Sequence, residues 1–253
     1  MTDAMMTHHW NLPFVALSVV IAVLTSFLAL ELARRFRPDE GLTAPMALGG
    51  LLGYGIWAMH FVGMMAFELP TNVTYGLPLT LLSGLCALVF LIGASVYLVR
   101  GTPTLPRIAV SGVIAGIGIC LMHYLGMAAL QVNAVTSYNP VPFALSVLIA
   151  VGAATVAFFL FSRVMTARLS LGVRLAVQLG ASLVMGLAIA GMHYIGMYAV
   201  QFQNSPNLNL PVSGTDSQTM VYVVVGATLL VFVGTYISIL ADQMSSRTSN
   251  AAD

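Results

Sequence analysis

The chain has 253 residues, of which 59% are hydrophobic and 7% charged, with a formal net charge of +1 and a mean hydropathy of +0.95. Soluble domains carry roughly 25% charged residues, so a water-soluble globular enzyme is excluded, and the near-neutral balance excludes nucleic-acid binding by bulk basicity. Two cysteines give neither a disulfide framework nor a cysteine-rich zinc site, and what remains is an integral membrane protein.

A membrane helix needs about 20 consecutive apolar residues. Seven such stretches follow one another, at 13–33, 44–67, 77–99, 107–130, 140–163, 173–199 and 219–240. Outer-membrane barrel strands would instead alternate over about ten residues. The N-terminal tail, 1–12, carries His8 and His9. Span one has no basic region before it and is followed by six more spans, so it does not read as a cleavable signal peptide. Glu31 near its end is placed to pair with Arg34 or Arg35, three and four residues on.

The remaining basic residues are Arg37 after span one, Arg100 and Arg107 between spans three and four, Arg163, Arg168 and Arg174 between spans five and six, and Arg247 after span seven. All nine basic residues are arginine and all fall on one side. Loops 68–76, 131–139 and 200–218 and the N-terminal tail have none. Positive residues mark the cytoplasmic side, so the N-terminus is expected outside and the C-terminus inside. The expected organisation is a periplasmic tail (1–12), a seven-helix membrane domain (13–240) and a short cytoplasmic tail (241–253), in a bacterial inner membrane.

The even spans close on nearly the same words: Met59-His60-Phe61-Val62-Gly63-Met64, Met122-His123-Tyr124-Leu125-Gly126-Met127 and Met192-His193-Tyr194-Ile195-Gly196-Met197. The odd spans echo one another at Leu17-Ser18, Leu82-Ser83 and Leu145-Ser146. The unit is therefore a helix pair, repeated three times, plus a closing seventh helix. Gly53, Gly116 and Gly186 lie seven residues before each His, within about 20° of it on a helical wheel. That face is expected to point into the bundle, towards its two copies. Even spans run outwards, so His60, His123 and His193 share one layer in the outer third of the bilayer.

Ionisable residues inside membranes lean towards function, and three in one repeated frame point to a shared site. Imidazole suits copper, zinc, iron and nickel, and thioether favours copper, Cu(I) above all. The ligand set read from the frame is His60, His123 and His193 with Met59, Met122 and Met192. Met64, Met127, Met197, His8 and His9 are candidate additional ligands. A copper centre with a free coordination position could take O2, NO or CO. Haem held by two of the histidines is the alternative cofactor. Tyr124 and Tyr194 are placed to lend hydroxyls to the site. Glu68, Gln131 and Gln201, eight residues after each His, mark the water interface or a polar mouth. Cys86 and Cys120 read as small core residues.

These residues resemble the MHYT domain family of bacteria, over about residues 10–245. Val62, Leu125 and Ile195 stand where the family name has Thr, and Phe61 replaces Tyr in the first copy. The resemblance implies an inner-membrane sensory module that binds copper through its Met and His residues and senses O2, CO or NO. Many relatives continue into diguanylate cyclase, phosphodiesterase, kinase or DNA-binding output domains. The 13 residues after residue 240 are too few for one, so a standalone domain is expected, signalling to a separate partner. A copper-delivery partner of a membrane oxidase is the competing role. Without a catalytic constellation, no enzymatic activity is expected. The lipid bilayer is a partner, and nucleic acid is not.

Overall fold

In a computed structural model, residues 6–35, 41–166, 170–204 and 214–250 are described. The seven apolar stretches form seven helices: α1 (Leu12–Arg34), α2 (Thr43–Met65), α3 (Leu77–Val99), α4 (Leu105–Ala128), α5 (Pro140–Thr166), α6 (Leu171–Ala199) and α7 (Ser217–Asn250). All seven are long and apolar enough to cross a membrane. Proline opens the first turn of α1, α3, α4 and α5, where its missing N–H costs nothing and its fixed φ suits the helix. Asn11 caps α1 by accepting the Phe14 N–H. Asp216 caps α7 by accepting the Thr219 N–H and hydroxyl. Helix α7 runs on through Asn250, past the end of its apolar run at residue 240.

Helices α1 to α6 form a closed ring in chain order, α1 packing on both α2 and α6. The even helices approach one another only over a short stretch, and each packs along its length on two odd helices. Helix α7 stands outside the ring, against α2 and α1, and so makes α2 the most deeply buried helix.

Two interleaved sets of contacts hold the ring. The first lies in the outer loops, as short strands: β1 (His9–Trp10), β2 (Phe67–Glu68), β3 (Thr74–Tyr75), β4 (Leu130–Gln131), β5 (Ala134–Tyr138), β6 (Val200–Asn204) and β7 (Thr215–Asp216). They pair antiparallel as β1–β2, β3–β4 and β5–β6, with β7 added to β3. Each pair ties an odd helix to the next even one, and the tie repeats. Asn11 N–H donates to the Ala66 carbonyl, Gly76 to Ala129 and Asn139 to Ala199, each at 2.8 Å. Spans two and four therefore end two residues before their apolar runs do: the chain stays apolar but turns into a strand that covers the bundle.

The second set couples each even helix to the following odd one. A Cβ at Gly53 would run into the backbone of Ala87 in α3, and one at Gly116 into Val151 of α5. At Gly186 the neighbour is Val23 of α1, so α1 is to α6 what α3 is to α2. These glycines do not face the other even helices, as the helical wheel had suggested. Below the histidine layer the even helices pack on the odd ones, and glycine lets them approach closely.

At the inner end, Glu31 accepts from Arg34 and from Arg35, the latter at 2.7 and 2.9 Å. Gln178 of α6 adds a bond to the same carboxylate at 3.3 Å. Arg35 also reaches α7, at the Ile239 carbonyl (3.1 Å) and Asp242 (3.2 Å). Arg37, Arg168 and the side chain of Arg247 lie outside the described residues.

Candidate metal centre

The three motif histidines meet on the axis of the ring. Ring centroids are 4.8 Å apart for His60 and His123, 5.0 Å for His60 and His193, and 5.3 Å for His123 and His193. All three are sealed from solvent, at 0–1% exposure. The Nδ1 atoms point inwards: His60 Nδ1 lies 3.1 Å from Nδ1 of His193 and 3.1 Å from Nδ1 of His123. One potential ligand atom from each histidine lies within 4.8 Å of the other two.

The Nε2 atoms point outwards, each against the motif glycine of another even helix. A Cβ at Gly126 would strike His60 Nε2, one at Gly196 would strike His123 Nε2, and one at Gly63 would strike His193 Nε2. The relation is cyclic, from α2 to α4 to α6 and back to α2. The glycine three residues after each histidine thus makes room for a neighbour's imidazole. None of the three Nε2 atoms finds a hydrogen-bond partner among the described residues.

Buried polar atoms are normally paired. A neutral imidazole has one donor and one acceptor nitrogen. The converging Nδ1 atoms therefore need either a shared proton or a shared cation between them. Three Nδ1–H groups would collide and three bare Nδ1 atoms would repel; a single Nδ1–H on His60 can face the other two Nδ1 atoms, while the Nε2 atoms stay unpartnered in every tautomer, with or without an ion. One cation at the centre would accept all three Nδ1 lone pairs. Nitrogen ligands about 2.0 Å from an ion stand about 3.3–3.5 Å apart in trigonal or tetrahedral geometry, close to the 3.1 Å that separates His60 Nδ1 from each of the other two.

The rest of the frame is local packing. Each histidine ring meets the next residue's ring edge-on, with centroids 5.0, 4.7 and 4.8 Å apart for Phe61, Tyr124 and Tyr194. The tyrosine hydroxyls, expected to serve the site, bond instead to the serines of the odd helices. Tyr124 pairs with Ser146 at 2.6 Å and Tyr194 with Ser18 at 2.7 Å. Phe61 has no hydroxyl, and in that copy Trp57 donates its indole N–H to Ser83 at 3.2 Å.

Met59, Met122, Met192, Met64, Met127 and Met197 are all buried, at 1–3% exposure. Met192 faces an apolar cavity on the inner side of the histidine layer. Met197, one turn outward of His193, lines a separate outer pocket together with His8.

His8 and His9 stand outside the cluster. The His8 ring stacks on Phe67, centroids 4.5 Å apart, and meets Trp10 edge-on. His9 sits opposite Glu68 in the β1–β2 pair. Pairing of the N-terminal segment with the α2 exit draws both histidines onto the lid. Glu68 accepts from Asn11 and Gln131 from Thr74, which places these residues in the outer loop layer. Cys86 and Cys120 are free thiols.

The family model described as "Bacterial signalling protein N terminal repeat", MHYT, matches residues 2–44, 53–111, 116–173 and 186–249. The bifunctional diguanylate cyclase/cyclic di-GMP phosphodiesterase MucR of Pseudomonas aeruginosa is 38% identical over 97% of this chain and 36% of its own length. The signaling protein YkoW of Bacillus subtilis is 34% identical over 88% of the chain and 28% of its length. The cyclic di-GMP phosphodiesterase NbdA of P. aeruginosa is 40% identical over 74% of the chain and 24% of its length. The chain thus spans about a quarter to a third of the curated relatives it matches. No solved structure matches it. Seven spans carrying repeats that cover nearly all of the sequence make this a multi-pass protein of the bacterial inner membrane, and the chain belongs to the MHYT family of bacterial signalling domains.

Proposed function

We propose that this domain is a membrane-embedded copper-binding sensor of a diatomic gas (O2, NO or CO) or of redox state, and that it signals to an output partner on the cytoplasmic side. The observation that carries the reading is the convergence of three buried imidazoles with their Nδ1 atoms turned towards one another. His60, His123 and His193 would hold the ion, with the six motif methionines as the buried sulfur around the layer. Imidazole with nearby thioether suits copper in both of its common oxidation states. When bound, copper supplies a redox-active centre able to take a small ligand.

The protein's own part is to seal the centre and to join it to the inner face. The strand layer covers the histidines, and the motif glycines fix the ring orientations. Helix α1 packs beside the cluster-bearing α6 through Ser18 and Tyr194, and its inner end is tied to α7 through Arg35. In this reading α7 carries the change in packing to an output domain or partner. The names of MucR and NbdA make cyclic di-GMP turnover the output class to test first. Haem fits the geometry less well. The histidine rings stand about 5 Å apart, and the glycines that would have to admit a macrocycle already accommodate imidazoles.

The test is metal content and absorption of the purified protein, wild type against His123→Ala, after anaerobic reconstitution. The reading expects close to one copper per chain, lost in the variant, with no Soret band. Absence of copper in the wild type, or bound haem, refutes it.

A further inference from the structure

On the inner side of the histidine layer lies an apolar cavity of about 30 Å³. On the same measure about 10–15 Å³ admits one water, so there is room for one diatomic molecule. Its walls are leucine, isoleucine, alanine, phenylalanine and methionine throughout. Met192, the residue before His193, and Ile189 form the α6 side; Ala154, Phe158 and Phe161 of α5 form another. Water needs two to four polar partners, and apolar cavities of this kind stay dry and take apolar guests such as xenon.

The repeat shows why the space is open here. The serine register that aligns Ser18, Ser83 and Ser146 places Ala153 of α5 opposite Phe90 of α3 and Thr25 of α1. Phe90 lies against Gly118 and Thr25 against Gly55, so both side chains fill their copies. Ala154 likewise stands where α3 has Leu91 and α1 has Ser26. In α5 two alanines replace these larger side chains. Ala153 and Ala157, which also line the cavity, are partly exposed on the lipid-facing side of α5. Little more than a layer of methyl groups therefore separates the cavity from the acyl chains, where apolar gases dissolve better than in water.

We infer that this cavity is a docking site for an apolar diatomic gas, placed beside the histidine cluster and supplied from the bilayer. The identity of the guest as the sensed ligand rests on the copper-sensor reading; the cavity's capacity for an apolar guest does not. The test uses xenon alone, by pressurised crystals or 129Xe NMR of the full chain, both metal-free and copper-loaded. One saturable xenon site in contact with Met192 is expected in both forms. Ala154→Leu, which restores the side chain of the α3 copy, should abolish it, with at least a tenfold loss of xenon affinity. Ala150→Val on the same wall serves if the leucine variant does not fold. Xenon confined to lipid-facing surfaces, or binding unchanged in a folded cavity-filling variant, overturns the inference. Copper binding without a xenon site refutes the cavity and leaves the metal reading intact. A xenon site in a protein that takes no copper supports the cavity and refutes the metal.

Discussion

The glycine cradles give the sharpest test of the site geometry, and Gly196→Ala is the perturbation of choice. The added methyl would overlap His123 Nε2 and lie about 3.0 Å from its Cε1. The imidazole cannot retreat, because behind it Nδ1 already stands 3.1 Å from Nδ1 of His60. Overpacking of this kind costs about 1–3 kcal/mol. Gly180, in the same helix, has nothing within 4 Å of an added Cβ. There alanine should stabilise by about 0.5–1 kcal/mol, through the lower conformational entropy of the unfolded chain. The two substitutions should therefore differ by about 1.5–4 kcal/mol, read by thermal or denaturant unfolding in detergent. On the proposed copper reading, Gly196→Ala should also weaken copper binding at least tenfold, as loss of support around a ligand commonly does, while Gly180→Ala leaves it alone. If the two variants match in stability and metal affinity, the cyclic packing of glycine on imidazole is not what holds the cluster.

Three further outcomes are expected. Ser146→Ala leaves the Tyr124 hydroxyl without its partner and should destabilise by about 0.6–1.7 kcal/mol, the range of interhelical hydrogen bonds in membranes; an unchanged unfolding midpoint would show the bond to be dispensable. Glu31→Gln removes the carboxylate shared by Arg34, Arg35 and Gln178 and should cost about 1–2 kcal/mol, with faster hydrogen exchange at the inner end of α7, where Arg35 is anchored; exchange unaltered there would rule out the α1–α7 tie. The Thr219 N–H and hydroxyl hold the Asp216 carboxyl below its ordinary range. Its contribution to the start of α7 is therefore full above the unfolded carboxylate value of about 3.9 and is lost as pH falls through the lowered folded value. Exchange at Ser217–Met220 should rise only in that acidic window, and Asp216→Ala should abolish the dependence.

The spans were legible because hydropathy and length dominate in a bilayer: residues 77–99 and 173–199 correspond to Leu77–Val99 and Leu171–Ala199. The meeting of His60, His123 and His193 was legible because three identical frames at one depth leave few economical packings. The Glu31 pairs were legible because they are local. Contacts between distant segments were not. Two-residue strands such as Phe67–Glu68 carry no periodic signal, so the lid that draws away His8 and His9 was invisible. The role of Gly63, Gly126 and Gly196 depends on a neighbour's imidazole rather than on their own helix, so their spacing marked them without explaining them. The tyrosine–serine bonds had a trace in the repeated serines, which became readable only once α1 was seen beside α6.

That position of α1 has a consequence for biogenesis. The first helix of the ring finds its neighbour in the sixth, and the Ser18–Tyr194 bond joins residues 176 apart. Until α6 is inserted, Ser18 lacks its Tyr194 partner and Val23 lacks the Gly186 surface it packs on. His193 arrives with α6, so a chain stalled after five helices has two imidazoles and an open wall in place of a centre. Closure of the ring and completion of the histidine cluster are thus one event, set by the arrival of the sixth helix, and a half-inserted ring holds no complete cluster.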